Sequence, residues 1–524
     1  MTSRDAVAGP LRVTELLVPL SLAADLAMGA PDGQAAQACL LATGLGRRIG
    51  LPDSALADVY YTTLLKHLGC TATAHEEASH LGGDELAVRP LLSRTDDTRL
   101  PEVLSLLASI GGGSGLIARS RIVFGALAGA RWGPGVQRAV CEVATLLAAR
   151  IGMPETVQVA LGQTFERWDG KGQPGKLRGE AIEFSARVAH VASRAIAFHA
   201  IGGARAALES VRQGRGGWFD PVVADALFEH GPALLTEIDA TDTLDAALEQ
   251  EPRPWRTVHT RDVEAIAAAF ADMADLKSSF TVGHSPGVAA LVYEAAPRLG
   301  LADGETAELK LAALLHDLGR VGVPSGAWER PQLRSADWER MRLHPYYTER
   351  ILSRGRVFAG VASIAGLHHE RLDGSGYYRG SRASQLPIAA RLLAAADTYQ
   401  AKTQERPHRA ALPAEAAAEL LLADARAGRL DPDAVVAVVE VVAHGRTTRI
   451  ARETPAGLTE REIEVLRLIA KGCSNREIAD RLVISPRTAE HHVQHIYEKI
   501  GLSTRAGAVM FALQYDLLTP PLHP

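Results

Sequence analysis

The feature of this sequence that most constrains its fold is an internal repeat. Residues 33–69 align without a gap with residues 283–319, at a constant offset of 250 positions. Both segments have apolar residues at helical spacing and a shared Gly-Leu turn, which is typical of one helical hairpin present twice. A second pair aligns at an offset of 204: FERWDGKG from Phe165 with HERLDGSG from His369. Alanine-rich helices also match one another by chance, but the ordered recurrence of both blocks favours a duplicated domain.

The repeat also predicts the domain organisation. Each copy closes with an Asp-Pro pair that begins a helix, at Asp220 and at Asp431. The offset changes because the first copy has a longer middle segment around the Gly-rich residues 110–121. We predict an all-α protein with two tandem helical bundles and a four-helix C-terminal domain. The expected boundaries are 10–235 for the first copy, 236–257 for an acidic, Pro-rich linker, 258–445 for the second copy, 446–456 for a second linker and 457–524 for the C-terminal domain.

Composition excludes several classes of protein. No window of about 18 uncharged apolar residues is present and the N-terminus lacks a signal sequence, so we expect a cytoplasmic protein without a membrane partner. The four cysteines have no CxxC spacing, which argues against a disulfide framework and against a thiolate zinc site. The net charge of −5 predicts no extended basic surface, so any contact with DNA must be local.

The second copy contains histidine and aspartate residues suited to binding metal. Each lies on or at the end of a segment with helical periodicity, so several helices can direct side chains to one centre. We therefore predict two divalent transition-metal ions, Fe or Mn first and Zn as an option, because seven imidazole and carboxylate groups exceed the needs of one tetrahedral site. Two such ions suit hydrolysis of a phosphate ester. The predicted ligands are His284, His316, Asp317, His344, His368, His369 and Asp397. The alternative is a set of unrelated polar residues, each satisfied by hydrogen bonds.

These residues lie in motifs that resemble the HD-GYP branch of the HD-domain phosphohydrolases. The motifs are GHS, LLHDLGRVGVP, RLHPYYTERIL, LHHERLDGSGYYRG and AAADTYQAKTQERPHR, in the family's order within residues 278–440. The resemblance implies a phosphodiesterase acting on a cyclic dinucleotide or a related nucleotide, with Asp317 bridging both metals. It also implies catalytic roles for Asp317 and Arg320, and substrate binding by Arg320, Tyr377, Arg406 and Arg409.

Three positions depart from the pattern of that family. Tyr378 stands where the family has proline, Arg320 replaces a lysine, and Phe280 replaces the acidic residue that some members use for a third metal. Arg320 can still hold a phosphate through two hydrogen bonds. Two interpretations of the second copy therefore stay open: an enzyme, and a ligand-gated switch that binds metal and phosphate but turns over slowly.

The first copy lacks the predicted metal-binding set. Opposite His284, His316, Asp317, His368, His369 and Asp397, the alignment places Gln34, Lys66, His67, Thr164, Phe165 and Ser193. We expect a folded domain without metal chemistry, in which Phe165 fills the former cavity. Packing or dimerisation is one role open to this copy, and binding of a ligand is the other. His67, His75 and His80 are expected to be exposed histidines on helices.

The C-terminal segment carries strong helix-capping signals. Capping boxes are expected at Thr459 and at Ser474, and Ser485 precedes a helix predicted over residues 486–500. Four short helices with a tight turn between the second and the third describe a helix-turn-helix module. The runs LTERE, SNREIA, RTAEHH and KIGLSTRAGAV resemble the LuxR-type helix-turn-helix domain.

This second resemblance implies a DNA-binding surface. The helix over residues 486–500 would enter the major groove of double-stranded DNA, where Glu490, His491 and Gln494 would read bases. The remaining residues expected to contact DNA are Arg476, Arg487, Thr488, Lys499 and Arg505. Basic and acidic residues balance in this domain, so we expect modest affinity and binding as a homodimer. The two resemblances together predict a bacterial transcription regulator that combines a metal-dependent phosphohydrolase, or a ligand sensor derived from one, with sequence-specific DNA binding.

Overall fold

Helices make up nearly all of the regular structure. The computed structural model describes residues 11–96, 99–110, 116–444 and 455–518. Within these ranges the strands are β1 (Leu11–Arg12) and β2 (Thr257–Val258), which form an antiparallel pair. The predicted all-α class is therefore confirmed. In the described part of the chain, no helix is both long enough and apolar enough to span a bilayer.

The chain divides into two compact units, Met1–Ile266 and Ala267–Pro524. The described helices of the first unit are α1 (Thr14–Ala27), α2 (Gln34–Ile49), α3 (Asp53–Leu64), α4 (Ala74–His80), α5 (Glu85–Leu92), α6 (Leu100–Ser109), α7 (Leu116–Arg150), α8 (Glu155–Leu161), α9 (Phe184–Arg212), α10 (Pro221–Asp239) and α11 (Thr243–Glu249). Helix α12 (Thr260–Asp275) crosses the division. The helices after it are α13 (His284–Ala295), α14 (Asp303–Leu315), α15 (Ser325–Trp328), α16 (Ser335–Arg342), α17 (His344–Leu352), α18 (Ala359–Ala365), α19 (Ile388–Thr403), α20 (Ala414–Arg426), α21 (Pro432–His444), α22 (Glu460–Ala470), α23 (Asn475–Leu482), α24 (Pro486–Ile500) and α25 (Arg505–Gln514).

Matching contacts in the two copies begin upstream of the aligned hairpin. Asp25 in α1 accepts a hydrogen bond from Ala35 N at 2.9 Å, and Asp275 in α12 accepts one from Ser285 N at 2.8 Å. The two buried aspartates lie 250 positions apart, and each satisfies a free amide at the start of the next helix, α2 or α13. The repeat therefore starts earlier than the sequence alignment indicates.

The DGxG phrase forms the same turn in both copies. Gly170 and Gly374 have φ values of 79° and 81°, a conformation that glycine adopts without strain. Glu166 and Glu370, both buried, each accept hydrogen bonds from the backbone amides nine and eleven positions later. These bonds hold the loop after DGxG against the residues that precede it. The phrase is thus a structural element of the fold in either copy.

The Asp-Pro pairs also make equivalent contacts. Asp220 begins α10 and accepts a hydrogen bond from Arg187 at 2.7 Å, and Asp431 begins α21 and accepts one from Arg391 at 2.9 Å. Each aspartate also accepts a backbone amide in the first turn of its own helix. The closing helix of each copy is therefore fixed to the long helix α9 or α19 by one ion pair.

The segment 236–257 was predicted to be a linker, and this prediction is wrong. It contains the end of α10 and all of α11, and Ala247 is fully buried. Tyr60 donates a hydrogen bond to Ala247 O at 2.7 Å, and Tyr61 donates one to Glu251 at 2.6 Å. The buried tyrosine hydroxyls of α3 need acceptors, and this acidic segment supplies them. The segment is therefore part of the first copy's core.

The predicted N-terminal helix caps of the C-terminal domain are confirmed. Thr459, Ser474 and Ser485 each accept a hydrogen bond from the amide three residues later, and α24 runs from Pro486 to Ile500 as predicted. The turn between α23 and α24 passes through Val483, which has a positive φ of 54° and is 91% exposed. Two predicted features lie outside the described residues: residues 111–115 of the Gly-rich middle segment and residues 446–454 of the second linker.

Candidate metal centre

The seven predicted metal ligands converge on one centre in the second copy. They come from the first residues of α13 and α17, the end of α14, the loop after α18 and the middle of α19. Six of them are almost fully buried, and His369 is partly buried. Most of these histidines lie at or near a helix end. The helices can therefore pack against one another while their ends direct the imidazoles toward one point.

Asp317 lies between two groups of imidazoles. Its Oδ2 is 3.2 Å from His316 Nε2 and 3.5 Å from His284 Nε2, whereas its Oδ1 is 3.3 Å from His344 Nε2 and 3.5 Å from His368 Nε2. The ligand atoms of His284, His316 and Asp317 lie within 4.8 Å of one another, as do those of His344, His368 and His369. One carboxylate oxygen thus faces each group, as a ligand shared by two metals requires.

Asp397 contacts both groups from the opposite helix. Its Oδ1 is 3.1 Å from His284 Nε2, and its Oδ2 is 3.5 Å from His369 Nδ1. Helix α19 packs against both α13 and α18, which explains why one side chain reaches both groups.

The second nitrogen of most of these imidazoles is held by a partner. The Nδ1 atoms of His316, His344 and His368 lie 2.6–2.7 Å from the carbonyl oxygen three residues earlier, and each donates to that oxygen. His284 Nδ1 is 2.9 Å from Gln404 Oε1. Such bonds fix the tautomer and leave the Nε2 lone pair facing the centre. The rings are therefore oriented for ligation by their own backbone.

Several polar atoms at this centre have no partner of hydrogen-bonding geometry within the described residues. They are His316 Nε2 and both carboxylate oxygens of Asp317, all of them buried. Burying such atoms without a partner is costly, and a metal ion is a partner that satisfies all three at once. The nitrogen and oxygen donor set suits divalent transition metals. The residues present therefore fit the predicted pair of metal ions.

The protonation states of most of these residues suit metal binding, and His316 is the exception. Burial opposes its ionisation, but the Asp317 charge outweighs burial and raises the pKa of His316 to about 9, so this imidazole must lose a proton to bind a metal. Burial lowers the pKa of His284 to about 4 and that of His368 to about 4, so both imidazoles are neutral at pH 7. Burial opposes ionisation of Asp317, but the charges of Arg320 and His316 outweigh it and hold the pKa of this carboxyl well below its usual range. Neutral imidazole and ionised carboxylate are the forms that ligate metals.

Arg320 and Trp328 lie beside the centre with unused donors. Arg320 Nε is 2.9 Å from Asp317 Oδ1, and the guanidinium lies 4.7 Å from the centroid of the Trp328 ring. Trp328 also contacts His344 edge-on, with 6.0 Å between ring centroids. Within the described ranges, Arg320 Nη1 and Trp328 Nε1 are buried without hydrogen-bond partners. Two donors next to the metal ligands are thus available to an anion.

The other two predicted phosphate-binding arginines differ in position. Arg406 donates to Phe280 O at 3.0 Å and to Gln404 at 3.2 Å, and burial together with the nearby Arg320 charge lowers its pKa to about 10. Arg409 donates to carbonyls at the C-terminal end of α19, including that of Lys402 at 2.9 Å. The structure therefore brings Arg406 close to the centre and uses Arg409 to cap a helix.

The two tyrosines of the GYY run point to different surroundings. Tyr377 lies against His369, with 4.3 Å between ring centroids, and contacts Trp338 edge-on. The hydroxyl of Tyr378 donates to Glu349 at 2.9 Å, and its ring contacts Tyr346. Tyr377 thus lies against a predicted metal ligand, and its role in binding substrate stays a prediction. Tyr378, which replaces the family's proline, packs on α17 instead.

In the first copy the corresponding positions do not form a metal cluster within the described residues. The sequence alignment did not identify the residue of the first copy that corresponds to His344. The packing of the helices identifies it. Gly319 packs against His344 O, and Gly69, its equivalent, packs in the same way against Val140 O. A buried valine therefore takes the place of this ligand. Two expectations fail: Phe165 is 36% exposed and so does not fill the cavity, and His67 is partly buried, whereas His75 and His80 are exposed.

The residues predicted to contact DNA lie mostly on the surface. Exposed side chains are those of Arg476, Arg487, Thr488, Glu490, His491 and Gln494. Lys499 donates to Glu462 at 2.7 Å and to Gly457 O at 3.0 Å, and Arg505 donates to Cys473 O at 2.6 Å. Their charged groups already bind within the domain, which weakens the case for contact with phosphate. Next to Glu490 and Gln494 is a groove of about 580 Å³ that extends to Ser474.

Sequence analysis missed three residues of the centre. Gln404 binds His284, Trp328 supports Arg320, and Thr348 donates to His316 O at 2.8 Å. Gln404 directly follows the end of α19, seven residues after Asp397, a spacing close to two helical turns that could have drawn notice. No sequence signal marks Trp328, because its contact depends on the packing of α15.

Comparison with known proteins supports the two-part composition. Residues 268–434 match the family described as the HD domain, and residues 456–512 match the bacterial regulatory proteins of the luxR family. The chain is 29% identical to 3'3'-cGAMP-specific phosphodiesterase 3 of Vibrio cholerae over 415 residues, which cover 78% of this chain and 90% of the relative. This match is longer than the second unit, so it includes part of the first copy.

Two further comparisons concern the second copy and the fold. The chain is 34% identical over 148 residues to a cyclic di-GMP phosphodiesterase of Thermotoga maritima, covering 28% of this chain and 40% of that protein. A crystal structure of a cyclic GMP-AMP-specific phosphodiesterase from V. cholerae matches with a TM-score of 0.57 and 24% identity, covering 83% of this chain and 99% of that one. The structural match establishes a shared fold.

Proposed function

Because the chain carries an HD domain and a C-terminal domain of the luxR family, we propose that it is a metal-dependent phosphodiesterase that also binds DNA. The proposed substrate is a cyclic dinucleotide, hydrolysed in the second copy, and the C-terminal domain binds a specific sequence in double-stranded DNA. The observation that carries the proposal is Asp317, whose two oxygens face two groups of imidazoles, with Arg320 beside Oδ1. The names of the relatives, which are phosphodiesterases for 3'3'-cGAMP and cyclic di-GMP, favour this substrate class.

Two metal ions would be held by the seven ligands, with Asp317 shared between them. When bound, such a pair supplies activation of water and neutralisation of phosphate charge. The chain itself contributes the orientation of the ligands, through the carbonyl and Gln404 bonds to the outer ring nitrogens. Burial of the ligands also keeps bulk water away from the charged centre, which strengthens each electrostatic contact there.

Arg320 and Trp328 are proposed to hold the scissile phosphate. The unpartnered Nη1 of Arg320 and Nε1 of Trp328 lie beside the ligands and can donate to phosphate oxygens. Stacking on Trp328 restricts the guanidinium to one plane, so less entropy is lost when substrate binds. Tyr377 offers an aromatic face next to His369, against which a base can stack.

The test is hydrolysis by the full-length protein after loading with Mn or Fe. The panel comprises 3'3'-cGAMP, cyclic di-GMP and a linear dinucleotide, with product formation followed by chromatography. We expect hydrolysis of at least one cyclic dinucleotide and no hydrolysis by Asp317→Asn. Failure of every metal-loaded preparation to hydrolyse any of them would exclude the proposed enzyme.

A second candidate is a ligand-gated DNA-binding switch. The observation that favours it is the contact between Arg320 and Asp317 at 2.9 Å, because a guanidinium that pairs with the shared carboxylate competes with a metal ion for it. This function predicts that binding of the cyclic dinucleotide changes the affinity for DNA. It also predicts that hydrolysis of the bound dinucleotide is slower than its release. Calorimetric binding in parallel with the hydrolysis assay separates the two candidates.

A further inference from the structure

The centre of the first copy has a different charge pattern from the metal centre of the second. His67 stands at the position of Asp317 and Ser193 at that of Asp397, so both carboxylates are missing. Lys66 stands at the position of His316. The centre of the second copy thus carries two carboxylates that can bind cations. The equivalent centre of the first copy carries a lysine instead.

Two further cationic or donor groups lie close to Lys66. Helix α3, which ends just before Lys66, packs against α9, and α9 carries His190 and Arg194 four residues apart on one face. The Arg194 charge and burial together lower the pKa of Lys66 to about 8, and the Lys66 charge helps burial to lower the pKa of His190 to about 3. The geometry of the second copy agrees with this proximity, because the equivalents of Lys66 and Ser193, which are His316 and Asp397, lie 3.9 Å apart, and Arg194 directly follows Ser193.

The donors at this centre are incompletely used. Arg194 and His190 are 8% and 6% exposed, and within the described residues Arg194 Nε and His190 Nε2 have no hydrogen-bond partner. The side chain of Lys66 forms no ion pair with a described carboxylate; the charge that acts on it is that of Arg194. Glu102 is 3.8 Å from Arg194, but it also binds Arg99 at 2.9 Å. Arg194 Nη1 donates to Ser93 O at 3.3 Å, so its unsatisfied donor is Nε, and a buried N–H without a partner is costly unless a ligand satisfies it.

We propose that the first copy binds a phosphate-bearing anion between Lys66 and Arg194, with the His190 ring as a further polar contact. An ammonium group and a guanidinium are the side chains that proteins use for this chemistry, and Arg194 is already held by the rings of Phe198 and Trp218, at 4.6 and 4.9 Å. The anion has two sources, inorganic phosphate and a nucleotide. This site is independent of the function proposed for the second copy, since it uses none of its residues.

The test measures anion binding by the full-length chain. Asp317→Asn in a metal-free preparation removes hydrolysis, and calorimetry then follows titration with inorganic phosphate, 3'3'-cGAMP and its linear product. We expect Lys66→Met and Arg194→Gln to weaken binding about tenfold or more, as loss of a charge-assisted hydrogen bond would, and Lys66→Arg to retain it. Lys171→Met, which removes an exposed lysine of the same copy, is the matched control and should bind as the parent does.

Comparison of the three ligands shows whether the natural anion is inorganic phosphate or a nucleotide. Binding of phosphate alone assigns the site to a small anion, and tighter binding of either dinucleotide assigns it to a nucleotide. Equal affinity in the parent and in Lys66→Met, or no binding at millimolar concentrations of any of the three, overturns the proposal. If Lys66→Met does not fold, crystals of the unaltered chain soaked in phosphate give the answer: density between Lys66 and Arg194 supports the site, and its absence there contradicts it.

The pH dependence of anion binding is measured with sulfate, because the charge of sulfate does not change near neutral pH. Affinity for sulfate should fall between pH 7 and pH 9, as Lys66 loses its proton near pH 8. His67 and His190, whose pKa values burial lowers to about 3, stay neutral throughout, and Arg194, whose pKa burial lowers to about 10, keeps its charge. Other charged residues near this centre include Arg89, Glu102 and Asp96. They are the same in every variant, so they do not account for differences between the pH profiles. Lys66→Arg should remove the fall, whereas an unchanged pH profile would contradict a role for Lys66.

Discussion

At the scale of single residues, the chemistry proposed for the second copy depends most on one carboxylate. Asp317 is fully buried, and four imidazole nitrogens lie within 3.5 Å of its oxygens. Asp397 also reaches both groups through separate oxygens, but each of its oxygens lies within 3.5 Å of one imidazole nitrogen, whereas each oxygen of Asp317 lies within 3.5 Å of two. The first copy has His67 at this position, which explains in one substitution why it cannot share two metals.

Asp317→Asn should therefore abolish the two-metal site. The amide keeps the shape of the side chain but loses the charge that two cations share, so metal content should fall from about two ions per chain to one or none. Inductively coupled plasma mass spectrometry on the purified protein measures this. Asp433→Asn, an exposed aspartate of the same copy, is the control and should keep its metal. Unchanged metal content in Asp317→Asn would contradict the assignment.

Arg320 should contribute to turnover more than to metal binding. Arg320→Met removes a charged donor beside the ligands, and loss of one such donor typically lowers kcat about 100- to 1000-fold. Arg320→Lys restores the residue that the family has and should recover most of the rate, because a lysine still supplies the charge. Steady-state kinetics with metal content measured in parallel tests this. A loss of metal equal to the loss of rate would mean that Arg320 acts by positioning Asp317.

At the scale of elements, the repeated turn determines where the adjacent ligands lie. In the second copy a Cβ at Gly376 would be 2.6 Å from Glu370 Cα, and in the first copy a Cβ at Gly172 would be 2.5 Å from Glu166 Cα. Both contacts are with backbone, which cannot move aside cheaply. Only in the second copy does this loop follow metal ligands, His368 and His369.

The pair Gly376→Ala and Gly172→Ala separates the structural role of the turn from its role in the site. Each should destabilise its own copy by roughly 1–3 kcal/mol through overpacking. Gly376→Ala should also lower metal affinity, since it displaces the loop that carries His369, and Gly172→Ala should not. Denaturation monitored by circular dichroism and metal titration measure the two effects. Equal metal affinity in both variants would argue that the turn does not position the ligands.

Helix α24 should determine the DNA sequence that is recognised. Gln494 is exposed on this helix, where a glutamine can form two hydrogen bonds with adenine. Gln494→Ala should weaken binding to the selected site by about 1–3 kcal/mol and leave binding to unrelated DNA nearly unchanged. Selection from a random library followed by fluorescence anisotropy measures both. Lys471→Ala, an exposed change outside α24, is the control, and a uniform loss on all sequences would argue against base reading by Gln494.

At the scale of the whole molecule, metal should stabilise one unit and not the other. All seven ligands lie within Ala267–Pro524, so chelation removes binding energy from that unit alone. At a metal concentration 100 times Kd the contribution is about 2.7 kcal/mol, which corresponds to a fall in Tm of about 5–10 °C. Calorimetry with and without chelator should shift one transition and leave the other in place. A shift of both, or of neither, would contradict a metal site confined to the second unit.

Features that depend on neighbouring residues, or that an alignment of the two copies reveals, could be predicted before the structure was known. The caps of α22, α23 and α24 were predicted because a capping serine or threonine and its helix are neighbours in sequence. The seven predicted ligands, which the structure brings to one centre, could be named because their order and spacing resemble a known pattern. The duplication could be detected because both copies kept the turns that glycine and Asp-Pro require.

Contacts between residues that are distant in the sequence could be seen only in the folded chain. The packing of Gly69 identifies Val140 as the first copy's equivalent of His344. Gln404 pairs with His284 across 120 positions, and residues 236–257 pack onto the tyrosines of α3. Folding also sets Arg409 on the end of a helix and brings Arg194 to Lys66. Each of these contacts depends on how helices pack, which is fixed by shape and burial over the whole domain and leaves no periodic mark in the sequence.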